Sequence, residues 1–356
     1  MRPNAGRRLR FGCAVMPNAT TSSPPARPLI RRIIFGLLLL VVLLAAAGFL
    51  YENIAEARDR RFNRMPGTLV NVGGGRKMHI SCIGEGTPTV ILDSGLGDTY
   101  ASWRKVQPEI AKFSQVCSYD RAGLGYSTPS PDARTSNVIA RELHGLLQSA
   151  NIVPPYVLVG HSMGGYNVRL YASLYHNEVA GMVLVDSSHP DQDNRFPPEL
   201  KKMEGNWLRE AELMEYTMPF GIPRLLGMCD RDPVVRAAEC NFHSAREGIA
   251  EMKAFPESAA QTAATGPLGD LPLAVLSQDP DKPSSELPPE LAKPVSEEWA
   301  QMQKELAHLS IRGTRTVAKN SAHYIQIDRP EIVIEAVQNV VEQSRKAQAK
   351  PDQSAR

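Results

Sequence analysis

Cysteine is scarce in this 356-residue chain, with five in all, and aromatic residues make up only 6%. That excludes a disulfide-dense mini-protein. No His-x-x-x-His or Cys-x-x-Cys spacing occurs, and no internal repeat is visible. A metal site is therefore not expected, nor is any cofactor. Residues 1–32 hold no lysine and no acid, but seven arginines. Of the 40 basic residues, 33 remain beyond that stretch against 38 acidic ones, a net of −5. A mildly acidic body excludes a nucleic-acid partner. With 42% hydrophobic and 22% charged residues, the composition is that of a globular protein, not a disordered or collagen-like chain.

One long apolar run is present. Residues 33–51 (IIFGLLLLVVLLAAAGFLY) carry no charge. At 1.5 Å per residue they span about 28 Å, close to the hydrocarbon thickness of a bilayer. A cleaved signal peptide has a shorter apolar region, so an uncleaved transmembrane signal anchor is expected. Residues 1–32 then read as a basic, disordered cytoplasmic tail. By the positive-inside rule the remaining body lies outside the plasma (inner) membrane of a single-pass protein.

The body alternates short apolar runs with helical patterns. Strands are expected at 68–72, 77–82, 89–93, 115–119, 156–160, 181–186, 272–277 and 314–318, and helices at 135–150, 163–175, 295–309 and 330–346. That alternation predicts an α/β fold with a mostly parallel sheet covered on both faces. Residues 191–265 interrupt the rhythm with Met-, Glu- and Ala-rich helical sequence. The stretch 279–294, with five prolines, reads as a loop.

The chemistry concentrates at Gly160-His161-Ser162-Met163-Gly164, which follows an apolar strand and precedes a helical pattern. A G-x-S-x-G turn between strand and helix lifts the serine hydroxyl clear of the sheet edge, where it can act as a nucleophile. Such a serine needs a base. His323, between the last strand and the last helix, is the best placed of eight histidines, and it completes the chain order Ser, acid, His. The acid has two candidates. Asp186, ending its strand, is the first choice, and Asp279, in the loop after 277, is the alternative. Oxyanion donors are expected from the amide of Met163 and from that of Leu96, in the loop Asp93-Ser94-Gly95-Leu96-Gly97. The methionines at 203, 214, 218, 228 and 252, with Trp207 and Phe220, either line an apolar acyl site or form a small core of their own.

Five ordered segments, PTVILDSGLG, VCSYDRAGLGYS, YVLVGHSMGGYNVRLYA, GMVLVDSSHPDQ and AHYIQIDRPEIVIEAV, resemble the α/β-hydrolase superfamily over residues 66–346, and among it membrane-anchored bacterial serine hydrolases. The resemblance implies an eight-stranded, mostly parallel sheet with helices on both faces. The core would be 66–190 and 266–346, the helical cap 191–265, and 347–356 a disordered tail. It implies that strands two and four are neighbours, so that Cys82 and Cys117 could form a disulfide. Cys229 and Cys240, eleven residues apart in the cap, could form another, with Cys13 left reduced in the tail. The family keeps its acid after the seventh strand in most members and after the sixth in some. The usual Gly-x-x-Asp turn is missing near Asp279. The function expected is cleavage of an ester, or similar acyl bond, of a small apolar molecule. A serine aminopeptidase or a C–C hydrolase is the alternative on the same fold. A non-catalytic receptor that keeps the triad is an alternative of another class.

Overall fold

A computed structural model describes residues 27–282 and 287–349 of the chain. It divides into two compact units, residues 1–46 and residues 47–356. Of the first unit, residues 27–46 are described, and they are helical. Their large apolar side chains, from Leu29 to Leu44, are exposed. The basic tail expected at 1–32 lies mostly outside the described residues. The helix, α1 (Arg27–Phe62), is longer than the apolar run. Beyond Tyr51 it continues through charged residues that favour helix, including the Glu56–Arg60 pair one turn apart at 3.0 Å. The stretch Leu29–Phe62 is long and apolar enough to cross a membrane, with a mean hydropathy of 3.0 in its most apolar window.

The second unit is built on eight strands: β1 (Thr68–Gly73), β2 (Arg76–Ile83), β3 (Thr89–Asp93), β4 (Val116–Tyr119), β5 (Tyr156–His161), β6 (Val179–Val185), β7 (Leu273–Ser277) and β8 (Gly313–Val317). They form one sheet in the order β1-β2-β4-β3-β5-β6-β7-β8. Only β2 runs against its neighbours, pairing antiparallel with β1 and β4. The central strands β3, β4, β5 and β7 are buried along their whole length, as parallel strands covered on both faces must be. The edge strands β1 and β8 alternate in exposure.

The principal helices of this unit are α2 (Ser136–Ser149), α3 (Gly164–Leu174), α4 (Pro198–Thr217), α5 (Pro233–Glu239), α6 (Phe242–Ala263), α7 (Pro289–Ala307) and α8 (Pro330–Gln348). One core cluster packs Leu143, Leu147, Val168, Tyr171 and Leu306 on one sheet face. Another packs Trp103, Val333, Val337 and Val341 on the opposite face. Between β6 and β7 the chain leaves the sheet to form α4, α5 and α6, within the segment expected to be the cap.

The stretch 279–294 is not all loop: α7 begins at Pro289 and carries Pro294 inside it. Proline at the first helical position costs no hydrogen bond, because that amide has no partner within the helix. The five prolines therefore mark a helix start as well as a break. At the other end α8 runs to Gln348, two residues into the expected tail, and 350–356 lie outside the described residues.

Cys82 stands opposite Cys117 in the β2–β4 ladder, and the two are joined by a disulfide with a Cα–Cα distance of 4.0 Å. A second bridge joins Cys229 and Cys240 in the cap. Cys13 lies outside the described residues.

Candidate active site

The parallel strands β3, β5, β6 and β7 end at a common edge, at Asp93, His161, Val185 and Ser277. In open α/β sheets ligands bind in the crevice beyond these carboxyl ends. Ser162 is the first residue past β5 and adopts φ +51°, a left-handed conformation rarely taken by a residue with a side chain. Its neighbours permit the turn. A Cβ on Gly160 would lie 2.5 Å from the Gly164 carbonyl oxygen, and one on Gly164 would collide with the Asp93 carbonyl. The turn is pinned by Ser162 N donating to the Val185 carbonyl (3.2 Å) and by Ser188 N donating to the Ser162 carbonyl (3.0 Å). Ser162 is half-buried, while Met163 is fully buried just ahead of α3.

Asp186 follows β6, also left-handed at φ +41° and fully buried. Its Oδ2 lies 2.6 Å from His323 Nδ1. Its Oδ1 accepts from Gln278 N (2.8 Å) and from Trp299 Nε1 (2.9 Å). Both oxygens are thus held, from β7's end and from α7. Asp279 is engaged elsewhere: it accepts from Asn320 N (2.9 Å) and Lys319 Nζ (3.0 Å), and these bonds hold its carboxyl below the usual range.

His161, between Gly160 and Ser162, packs on the His323 ring, whose centroid is 4.7 Å away. His161 Nε2 donates to the His323 carbonyl (3.1 Å), and Nδ1 lies 3.7 Å from Asp98 Oδ2. Burial pulls its pKa below 6.5 despite Asp98. A neutral ring with Nε2 protonated is the tautomer this contact demands.

The loop after β3 is a β-turn from Gly95 to Asp98, closed by Asp98 N donating to Gly95 O (3.1 Å), with Gly97 at φ +71°. Sequence reading left out what holds it. Arg121, fully buried, donates to Asp93 Oδ1 (3.0 Å), Ser94 O (2.8 Å) and Gly95 O (2.5 Å). The same guanidinium grips both oxygens of Glu251 on α6, at 2.6 and 2.9 Å. Glu251 also accepts from Gly97 N (2.9 Å). Because a trans peptide sets N–H opposite C=O, fixing Gly95 O on Arg121 aims the Leu96 amide the other way. The Leu96 side chain packs in the cluster that contains Met163. Burial raises the pKa of Asp93, although Arg121 opposes it. The Asp-Arg of the SYDRAGLG segment was the available signal for this clamp, and Glu251 had none.

A model of the alpha/beta hydrolase fold matches residues 88–214. The chain has the α/β-hydrolase fold. Its relatives include an uncharacterized protein of Bacillus subtilis, YqjL, 26% identical over 259 residues that cover 72% of this chain and 85% of that one. Among solved structures, an esterase from Thermogutta terrifontis superposes with a TM-score of 0.54 at 20% identity, covering 78% of this chain and 98% of its own. The epoxide hydrolase CorEH superposes with a TM-score of 0.57 at 18% identity, covering 77% and 98%.

Within this fold a cavity of about 630 Å³ lies between the α4–α6 helices and the Gly95–Asp98 turn. Its walls include Leu96, Trp207, Met214, Met218, Met228 and Met252. Four of the five cap methionines thus line a space, which separates them from a simple internal core. Met203 and Phe220 are not in its walls.

Proposed function

We propose that the protein is a membrane-anchored serine hydrolase that cleaves an ester, or similar acyl bond, of an apolar substrate. The observation that carries this reading is the 2.6 Å contact between His323 Nδ1 and Asp186, with the His323 ring packed beside the strained elbow that holds Ser162. In this mechanism Ser162 Oγ attacks the substrate carbonyl carbon as His323 takes its proton. Asp186 keeps the imidazole oriented and stabilises it once charged. The amides of Met163 and Leu96 receive the oxyanion, helped by the positive end of α3. Collapse of the tetrahedral species expels the alcohol, which gains the proton held by His323. Water then attacks the acyl-serine with His323 again acting as base, and the acid product leaves with Ser162 restored.

The anchor is residues 33–51, with the N-terminus cytoplasmic and the catalytic unit outside the plasma membrane. The two disulfides support an oxidising location. Protease added to intact spheroplasts should then digest the body, and protection until lysis would reverse the orientation.

The decisive test of the chemistry is labelling by a fluorophosphonate, together with hydrolysis of p-nitrophenyl esters of graded chain length. Wild-type protein should show both and Ser162→Ala neither. Tight binding of esters without turnover would favour a receptor instead.

A further inference from the structure

The cap segment that follows α4 packs on the end of α1. Gly48 meets the Phe220 carbonyl so closely that a Cβ there would lie 2.6 Å from its oxygen. Gly221, at φ +69°, faces the Tyr51 ring, which a Cβ would approach to 2.8 Å. Arg224 fastens this contact with bonds to Asp59 (2.6 Å) and to both oxygens of Glu52 (3.0 and 3.1 Å). Nearby, Cys229–Cys240 ties the segment to the end of α5. Gly48 belongs to the uncharged run, and Glu52 is the first charge beyond it. They are four positions apart along the helix, so Phe220 sits about 6 Å to the apolar side of that charge. Interfacial elements insert to about that depth in a bilayer.

This segment exposes what a lipid surface would cover. Leu225 is 66% exposed, Leu226 64% and Met228 57%, with Phe220 and Ile222 also exposed beside them. A patch of this kind on a soluble protein marks an interaction site. Its continuity with the apolar end of α1 identifies the partner as the membrane, not a second protein. Met228, together with the exposed Leu213 and Trp207, also lines the cavity that reaches inward to Leu96. The mouth of the cavity is therefore part of the apolar patch. The charged residues lining the cavity are all acidic: Asp98, Glu210, Glu215 and Glu239. Such walls repel a phosphate or a coenzyme A headgroup.

We propose that the cap segment Phe220–Met228 seats in the lipid surface and that the cavity draws a long-chain acyl ester with an uncharged headgroup directly from the bilayer. The inference rests on the serine-hydrolase reading and on the anchor, and it adds the substrate class and its route of entry.

The test uses the full chain in phosphatidylcholine vesicles. The substrates are 1-oleoylglycerol or an anionic oleoyl lysophosphatidate in the vesicle, and p-nitrophenyl butyrate in solution. Leu225→Glu/Leu226→Glu should cut 1-oleoylglycerol hydrolysis by about tenfold or more while sparing butyrate hydrolysis and fluorophosphonate labelling. Wild-type protein should favour 1-oleoylglycerol over the lysophosphatidate by a similar factor. Separately, the indole of Leu225→Trp should be quenched by chain-brominated phosphatidylcholine. Unchanged vesicle hydrolysis in the double variant, no added quenching, or equal rates on the anionic lipid would overturn the proposal. So would a detergent-solubilised dimer that the double variant turns into a monomer, since the patch would then be a contact between copies. Absence of labelling and of butyrate hydrolysis in wild-type protein would instead sink the serine-hydrolase reading, and the substrate proposal with it.

Discussion

The Trp299 indole donates to Asp186 Oδ1 at 2.9 Å, on the side of the carboxylate away from His323. With the Gln278 amide, it leaves Oδ2 as the only face offered to the imidazole. Asp186→Asn should lower kcat by about 10⁴, since an amide facing Nδ1 favours the wrong tautomer. Asp279→Asn should stay near wild type, because Asp279 closes a turn with Asn320 and Lys319. Trp299→Phe removes a single donor and should lower kcat by about tenfold with KM little changed. Steady-state kinetics on a soluble p-nitrophenyl ester checks all three, and a crippled Asp279→Asn would transfer the acid to that residue.

Arg121 is a positioning residue: it holds the loop that carries Leu96 and ties it to Glu251 of the cap. Arg121→Met leaves the carboxylates of Asp93 and Glu251 buried without their cation. Denaturant unfolding should show a loss of about 3–5 kcal/mol. In protein that still folds, kcat should fall by about 10²–10³ as the proposed oxyanion donor, the Leu96 amide, is displaced, while KM changes little. Arg121→Lys, which keeps the charge but not the fork, should recover stability more fully than rate. Equal recovery of both would mean that the loop geometry does not depend on the guanidinium.

Two buried histidines predict opposite pH dependences of stability. His79 places Nδ1 2.7 Å from Asp120 and Nε2 2.7 Å from the Pro66 carbonyl, so the doubly protonated ring satisfies both acceptors. Burial pulls its pKa down, but Asp120 and then the Pro66 carbonyl outweigh it and leave it above 6.5. Its contribution is full below about pH 6.5 and is lost as pH rises through the higher folded value. His161 is lowered by burial, so its neutral form favours folding above pH 6.5 and that benefit is lost as the pH falls below it. Urea titrations at several pH values should show His79→Gln flattening the alkaline loss and His161→Gln the acidic one.

Non-reducing peptide mapping should recover Cys82–Cys117 and Cys229–Cys240, with Cys13 alkylated without reduction. Alkylation of all five cysteines in denatured, unreduced protein would contradict both bridges.

Much of this fold could be read because its strands are short apolar runs bounded by turn residues, a pattern that needs only local chemistry. All eight observed strands fall within two residues of the expected ones. The elbow was legible because its glycines and serine are adjacent in sequence and are required by one turn. The helix expected at 295–309 starts six residues earlier, at Pro289, because proline reads as a breaker unless its position in the first turn is known.

By itself the sequence determined the α/β alternation, the apolar N-terminal helix and the strand–turn–helix elbow at Ser162, since each is set by neighbours along the chain. Tertiary structure alone decided which aspartate meets His323. Asp186 and Asp279 both follow strands at the same sheet edge, and the difference lies in the groups already bonded to each: Trp299 and Gln278 at one, Lys319 and Asn320 at the other. It alone joined Arg121 to Glu251, 130 residues away, and brought Met214, Met218, Met228 and Met252 around one cavity. Burying a charge or opening a pocket depends on what the remainder of the chain packs against it, and local sequence carries no measure of that.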